Sequence, residues 1–368
     1  EQSMQYTNSL FMLFCGIGQL VFGPLSDRIG RLNTLYASLT IFLIANLTCF
    51  YADTYIWLLV GRILQAIGAC GSYLCCFATI RDIYHCNDES ASMFSYLNIA
   101  NSVSAICAPT IGSIIGNYFG WQSIFLTLGL TCTVALSIYA LFAVETAPTP
   151  DKEVSLYTLI QNYTRVFMHC NYQLFTLPAA VGIGTFFAFY CISPYLYIDT
   201  MGFSNVEFGL LYGTCGLTFF IGSYLCGQCI QRLGVMNTLY IGLTTHAIGA
   251  SCLLLGLIVL QTNHIAFIHP SVLCMIAGAS FMVGAGIGGT MAPFKDIAGT
   301  AFAMISCYKF IAAHSLGDAV MAFYNHTPYS LAIIMLTLNL ISTALLNTFK
   351  HRITLDKKTP ETATLTSE

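Results

Sequence analysis

Charge is what this sequence has least of. Only 8% of its 368 residues are Asp, Glu, Lys or Arg, while 56% are hydrophobic and the mean hydropathy is +0.73. A soluble domain carries about 25% charged residues, so a water-soluble globule is excluded. The net charge of −3 and the absence of any basic patch leave nothing for nucleic acid to hold. No spacing for a nucleophile elbow, zinc ligands or a phosphate loop is present, so the chain does not read as an enzyme and no metal or cofactor is expected. A cleavable signal pattern is also missing, and residue 1 is Glu rather than Met.

Apolar runs fill the chain instead. A membrane span needs roughly 20 mostly apolar residues, and that ruler gives eleven candidates. They lie at about 5–24, 32–51, 55–80, 90–115, 121–143, 171–198, 204–230, 235–258, 268–290, 297–325 and 329–348. All 16 cysteines sit in or beside these runs and read as small hydrophobes, the Cys226-Gly-Gln-Cys229 pair included. One long connection, Glu145–Cys170, carries Pro148, Pro150, Asp151 and Lys152. Its second part puts Leu156, Ile160, Tyr163 and Phe167 on one helical face, as in a helix lying on a membrane surface. The expected organisation is an N-terminal half of five spans (1–144), a linker with an amphipathic helix (145–170), a C-terminal half of six spans (171–349) and a tail (350–368).

The thirteen basic residues orient this scheme. Eleven fall on one side: Arg28, Arg31, Arg81, Lys152, Arg165, Arg232, Lys295, Lys350, Arg352, Lys357 and Lys358. Arg62 and Lys309 fall inside spans, and none falls on the opposite side. By the positive-inside rule the charged side, with the C-terminus, is cytoplasmic. The expected location is therefore the cytoplasmic (inner) membrane, crossed many times.

An internal repeat supports the count. GPLSDRIGRLNTLYASLT (23–40) and GQCIQRLGVMNTLYIGLT (227–244) agree at nine of 18 positions with an offset of 204. The span at about 171–198 has no counterpart 204 residues earlier, so the chain reads as a twelve-span architecture lacking its first helix.

Gly23-Pro24-Leu25-Ser26-Asp27-Arg28-Ile29-Gly30-Arg31 concentrates charge between two apolar runs. Glycines permit a sharp turn, Asp27 can accept from helix N-termini or pair with an arginine, and Arg28 and Arg31 mark a membrane surface. This run resembles the signature loop of the major facilitator superfamily, Gly-x-Leu-x-Asp-Arg-x-Gly-Arg, with Leu32 in place of a further basic residue. Gly61-Arg62-Ile63-Leu64-Gln65-Ala66-Ile67-Gly68 resembles that family's Arg-x-x-Gln-Gly-x-Gly motif, in which the arginine is linked to proton transfer. Ala108, Pro109, Gly112 and Ser113 resemble in part the antiporter motif Gly-Pro-x-x-Gly-Gly. With Phe77–Tyr84, Ala292-Pro293-Phe294 and Ala298-Gly299-Thr300-Ala301, the chain looks most like the bicyclomycin and chloramphenicol exporters among the drug:proton antiporters.

The candidate residues follow. Arg62 is costly in a bilayer unless partnered or wetted, with snorkelling to the outer surface the alternative. Gln65 lies one turn along, and Lys309 needs a partner or a wet cavity. Asp318, one turn from His314, lies nine residues from Lys309 on the opposite face. Asn98 and Asn101 share a face with Ala105, Ala108 and Gly112, a small-residue stripe bent by Pro109. Tyr190 and Tyr195, with Tyr197 and Pro194, give the sixth span an aromatic outer end; substrate contact and an interfacial belt both account for them. Gly284-Ala-Gly286-Ile-Gly288-Gly289 follows no strand, so it reads as close helix packing rather than a dinucleotide loop.

The reading is an all-α membrane protein of major facilitator fold, monomeric, moving an amphiphilic small molecule against protons. Arg62, Lys309 and Asp318 are its coupling candidates. Gly23, Asp27, Arg28, Gly30 and Arg31 form the gate, Gln65, Asn98, Asn101, Tyr190 and Tyr195 the substrate contacts, and Pro109 and Gly112 the kink. The alternatives are a siderophore or metabolite carrier of the same fold and a transport-inactive truncated form.

Overall fold

The computed structural model describes residues 2–83, 103–104, 107–146, 156–261, 264–294 and 297–353. They form helices with no strand among the described residues. In order these are α1 (Gln2–Ile29), α2 (Arg31–Phe50), α3 (Tyr55–Ile83), α4 (107–119), α5 (Gln122–Phe142), α6 (Leu156–Met168), α7 (Cys170–Pro194), α8 (Asn205–Leu233), α9 (Val235–Leu260), α10 (Ile265–Met291), α11 (Ala298–Ala322) and α12 (Tyr329–Phe349). Hydrocarbon offers the backbone no partner, so a spanning segment must close its hydrogen bonds internally, and a helix does so within one segment.

Eight described helices are long and apolar enough to cross a membrane: α2, α3, α5, α7, α8, α9, α10 and α12. Eleven were expected. The three others are α1, whose apolar part is the shorter Leu10–Ser26, α4, of which only 107–119 is described, and α11, which carries Lys309, His314 and Asp318. Polar residues lower their hydropathy, yet α1 and α11 pack against each other and against the spanning helices. The fourth expected span began at about 90, and its first part lies outside the described residues.

The repeat is physical as well as textual. Gly30 and Gly234, 204 residues apart, take positive φ angles of 95° and 83° at the tight turns into α2 and α9, which L side chains resist. Thr34 and Thr238 hydroxyls donate to the carbonyls of those glycines, each at 2.8 Å. Asn33 and Asn237 amides donate to Ile29 and Leu233 carbonyls, at 2.9 and 3.0 Å. The next crossing repeats too. A methyl group on Gly68 of α3 would lie 2.6 Å from the Phe42 nitrogen of α2, and one on Gly278 of α10 would collide with the His246 nitrogen of α9. Hydrophobicity does not drive helices together in lipid, so small residues that admit close backbone approach set such crossings.

α7 has no such twin. It is buried along most of its length, from Phe175 to Tyr197, whereas α5 is mostly exposed. It ends in a π-helical turn, Tyr195–Thr200, and packs on α10, α11 and α12. The two sets of helices meet where Gly16 of α1 faces the Cys307 carbonyl of α11 and Gly209 of α8 faces Pro109 and Thr110 of α4.

The connecting helix α6 forms as expected, with one adjustment of its faces. Val166 is fully buried and the Tyr163 hydroxyl donates to the Leu20 carbonyl at 3.1 Å, while Ile160 and Phe167 stay exposed. The predicted apolar face is thus split between protein and surroundings. His169 follows and caps α7, its Nδ1 accepting from the Asn171 nitrogen at 3.2 Å. Only the neutral ring can accept there, and partial burial together with nearby Arg165 lowers its pKa.

Gly278→Ala is expected to destabilise the purified protein, because backbone of α9 must move to admit one methyl, at a cost of roughly 1–3 kcal/mol. Gly288→Ala is the control, since its methyl would enter open space. Thermal unfolding in detergent should drop for the first and hold or rise for the second.

Candidate functional site

Two polar constellations lie in the N-terminal set of helices, one at its charged end and one inside the spans.

At the charged end, the turn between α1 and α2 is knitted by Arg31. Its Nε donates to Asp82 of α3 at 2.8 Å as an ion pair, with both side chains largely buried. Its Nη1 donates to the Ser26 hydroxyl at 2.7 Å, which donates to the Gly23 carbonyl at 2.9 Å. Glu145, just beyond α5, accepts from the Arg31 nitrogen at 2.9 Å and the Leu32 nitrogen at 3.1 Å. A carboxylate there meets the free N–H groups and the positive end of the helix dipole. A methyl on Gly30 would lie 2.5 Å from that carboxylate, so glycine serves both turn and cap. Arg28 is exposed. The Asp27 side chain lies outside the described residues. Asp82 and Glu145 were absent from the expected site, although an acid closing an apolar run beside Arg81 was the available signal.

Inside the spans, Arg62 of α3 is held by neutral groups. Nη1 donates to Gln65 Oε1 at 2.5 Å and Nη2 to Asn8 Oδ1 of α1 at 2.9 Å, and the guanidinium lies 4.5 Å from the centre of the Phe11 ring. Gln65 Nε2 donates to Asn46 Oδ1 of α2 at 2.9 Å, and Asn46 donates to the Phe42 carbonyl at 2.7 Å. One arginine thereby ties three helices, and Gln65 and Asn46 are almost fully buried. Among the described residues no carboxylate pairs with it. Asn8, Phe11 and Asn46 were missed; the signal was an amide inside an otherwise apolar run.

The aromatic candidates separate. Tyr190 of α7 is 38% exposed and lies in the neighbourhood of Arg62. It stands on Phe187 and Tyr212, at ring distances of 5.9 and 5.7 Å. Tyr195 instead packs on Tyr324, at 6.4 Å, just beyond the end of α11. The structure brings Tyr190 and Gln65 to Arg62 and leaves Tyr195 apart.

Lys309 lies midway along α11 with no hydrogen bond or ion pair among the described residues. His314 Nδ1 lies 3.4 Å from Asp318 Oδ2 further along the helix. Asn98 and Asn101 lie outside the described residues. At Pro109 the close crossing is made by Gly209 of α8, whose carbonyl accepts from Thr110 Oγ1 at 3.2 Å and whose α-carbon faces Ser113 and Pro109. Gly112 faces open space. The contact thus uses the 109–110–113 face, one step round from the predicted stripe of 108 and 112, because the partner helix supplies the glycine. Gly284, Gly286 and Gly289 approach α8 and α7 closely, as packing requires.

Two further polar triads lie in the C-terminal set, and sequence reasoning missed both. His246 of α9 bonds Thr185 of α7 at 2.9 Å and Asn339 of α12 at 3.0 Å, fully buried. Thr185 donates to the Val181 carbonyl at 2.7 Å, so the imidazole proton sits on Nε2. His269 bonds the Tyr197 hydroxyl and Thr214, both at 2.8 Å, pinning the π turn of α7 to α10 and α8.

Asp82→Asn should cost roughly 3–5 kcal/mol, since it removes a charged partner from the largely buried Arg31 guanidinium. The double variant Arg31→Gln, Asp82→Asn should lose less than the two single changes summed. Thermal denaturation of all four proteins measures this; strict additivity would show the pair to be uncoupled.

Comparison with known proteins places this geometry. The sequence matches the Major Facilitator Superfamily over residues 1–334. It is similar to a chloramphenicol resistance protein of Pseudomonas aeruginosa, 29% identical over 91% of this chain and 79% of that protein. It is also similar to multidrug resistance protein D of Escherichia coli strain K12, 24% identical over 88% and 79%. Among solved structures, the xylose transporter XylE from E. coli in a partially occluded inward-open conformation superposes with TM-score 0.71 at 14% identity, covering 94% of this chain and 87% of that one. A peptide-bound transporter of the POT family gives TM-score 0.74 at 14% identity, with 94% and 87% covered. A match across nearly the whole chain, the repeated helix crossings and the Arg31-centred turn agree: the chain belongs to the Major Facilitator Superfamily, and it is a multi-pass membrane transporter, not an enzyme.

Proposed function

We propose that the chain exports amphiphilic small molecules, of the phenicol and bicyclomycin kind, across the cytoplasmic membrane in exchange for protons. The Arg62 network facing Tyr190 carries this reading. It sets a permanent cation beside an aromatic face between the two helix sets, where an amphiphile would dock. Relatives named for chloramphenicol and multidrug resistance support the cargo class.

The halves 1–144 and 171–349 act as rigid blocks that open alternately to each side, with 145–170 as their link and the tail in the cytoplasm. Arg62 stays charged at any working pH. A fixed cation lowers the pKa of a carboxylate brought near it, so a conformational step that closes this distance releases a proton and one that opens it takes a proton up. Gln65, Asn8 and Asn46 hold the guanidinium still while Tyr190 offers a ring to the cargo. At the cytoplasmic end the Gly23–Arg31 turn, Asp27 and Arg28 included, acts as the gate. Bonds made in one state only bias the equilibrium between states. The protein works as a monomer in the bilayer.

Drug efflux from cells or proteoliposomes, with and without a proton-gradient collapser, tests the reading. Gradient-dependent export of at least one aryl amphiphile is expected, and a chain that moves none of a broad panel refutes it. Arg62→Lys should cut proton-driven efflux at least about tenfold while leaving drug binding measurable, because lysine keeps the charge and loses the planar fork that holds two amides. Unchanged efflux with unchanged pH dependence would move coupling away from Arg62.

A further inference from the structure

The geometry points to an acid-binding subsite on α11: beyond neutral amphiphiles, the cargo range extends to acidic ones, whose anionic group sits against Lys309. This rests on the transporter reading above and names the chemical class of its cargo.

Lys309 has neither hydrogen bond nor ion pair among the described residues, although α11 packs against α1 and α7 for much of its length. An ammonium at mid-span is held by a partner, by water or by a ligand. Its face of the helix is identified by its neighbours. Phe302, seven residues earlier and on the same face, stacks on Phe77 of α3 at 5.5 Å, across the divide between the two helix sets. Leu316, seven residues later, meets Gly184 of α7. Lys309 therefore lies between these two contacts, on the face of α11 that meets α3 across the divide at one level and α7 at the other.

A second observation points the same way. Ser306, three residues before Lys309, is 1% exposed and its hydroxyl has no partner. Serine and threonine hydroxyls elsewhere in these helices mostly donate to their own backbone, as Ser315 does to Ile311 at 3.0 Å. An unsatisfied hydroxyl beside an unsatisfied ammonium fits an acceptor with several lone pairs, such as a carboxylate.

The charge balance sharpens this. Arg62 and Lys309 are the two cations more than a turn from either end of a described helix, while Asp318 lies further along α11 beside His314. Like charge repels a cationic amphiphile and attracts an anionic one, most strongly where water is scarce. The Phe77–Phe302 stack offers an apolar surface for the rest of such a molecule.

Three probes with one aryl chain test this in proteoliposomes of the purified full chain: nitrophenylhexanoate, its amide, and the matching trimethylammonium. The expected order of transport is carboxylate, then amide, then ammonium. Lys309→Gln should weaken half-saturation for the carboxylate about tenfold or more and leave the amide within about twofold. Lys309→Arg should retain the carboxylate. The order of the three probes on the unaltered protein decides even where a variant fails to fold. Equal transport of amide and carboxylate, preference for the ammonium, or an equal loss of all three on Lys309→Gln overturns the acid subsite and leaves the exporter reading standing. Transport of none of the three, and of no other amphiphile, overturns both.

Discussion

A charge taken into hydrocarbon must be given partners, and the N-terminal helices are arranged around that demand. Arg62 consumes the side chains of three residues on three helices, and Arg31 draws together the ends of α1, α2 and α3 with the segment after α5. Neither arginine could be satisfied by its own helix alone. Each therefore specifies which helices are neighbours, in a medium where apolar contact with lipid and with protein are nearly equivalent. Glycines then set how close those neighbours come, at Gly68 against α2 and Gly16 against α11.

The two helix sets share these crossings and differ in what fills them. Phe42 of α2 stands 204 residues before His246 of α9, and each backbone nitrogen abuts a glycine of the next helix. In the C-terminal set the imidazole closes a neutral, buried triad with Thr185 and Asn339, with both ring nitrogens engaged. In the N-terminal set the corresponding layer holds Asn46, and its network runs out through Gln65 to the Arg62 cation. One repeat is a closed block and the other presents charge to the space between them. On the proposed reading, duplicated packing with unequal polar content gives the symmetric scaffold its directional site.

Much of the fold was legible because its signals are local. Apolar runs, the one-sided basic residues and the NTLY repeat each occupy a short stretch, and helices, turns and positive-φ glycines followed where these placed them. Arg62, Gln65 and Tyr190 were legible for the same reason, as polar or aromatic residues standing out from apolar surroundings. Partners were not. Asn8 lies 54 residues from Arg62, and Glu145 lies 114 from the nitrogen it caps. No periodicity links such pairs. The crossing at Pro109 shows the same limit from the other side: the sequence around it contains Gly112, but the approach is made by Gly209, 100 residues on, so the face that packs was off by one position. Tyr195 packs on Tyr324 rather than near Arg62, at the start of the π turn that follows Pro194.

The placement of charge along α3 gives these parts a mechanical relation. Arg62 and Asp82 are 20 residues apart on one unbroken helix, about 30 Å of rise. α1 is bound at both levels, through Asn8 to Arg62 and through Ser26 to Arg31, whose guanidinium holds Asp82. A rod fastened to the same neighbour at both ends resists sliding and permits tilting with it as a unit. On the proposed alternating-access reading, a tilt of α3 that changes the space before Arg62 also loads the Arg31–Asp82 contact at the far end. A ligand that reorganises the first, and a protonation or counter-ion that weakens the second, act on one equilibrium. Coupling over that distance needs no chain of intermediate switches, only a stiff helix with an ion pair at one end and a caged cation toward the other.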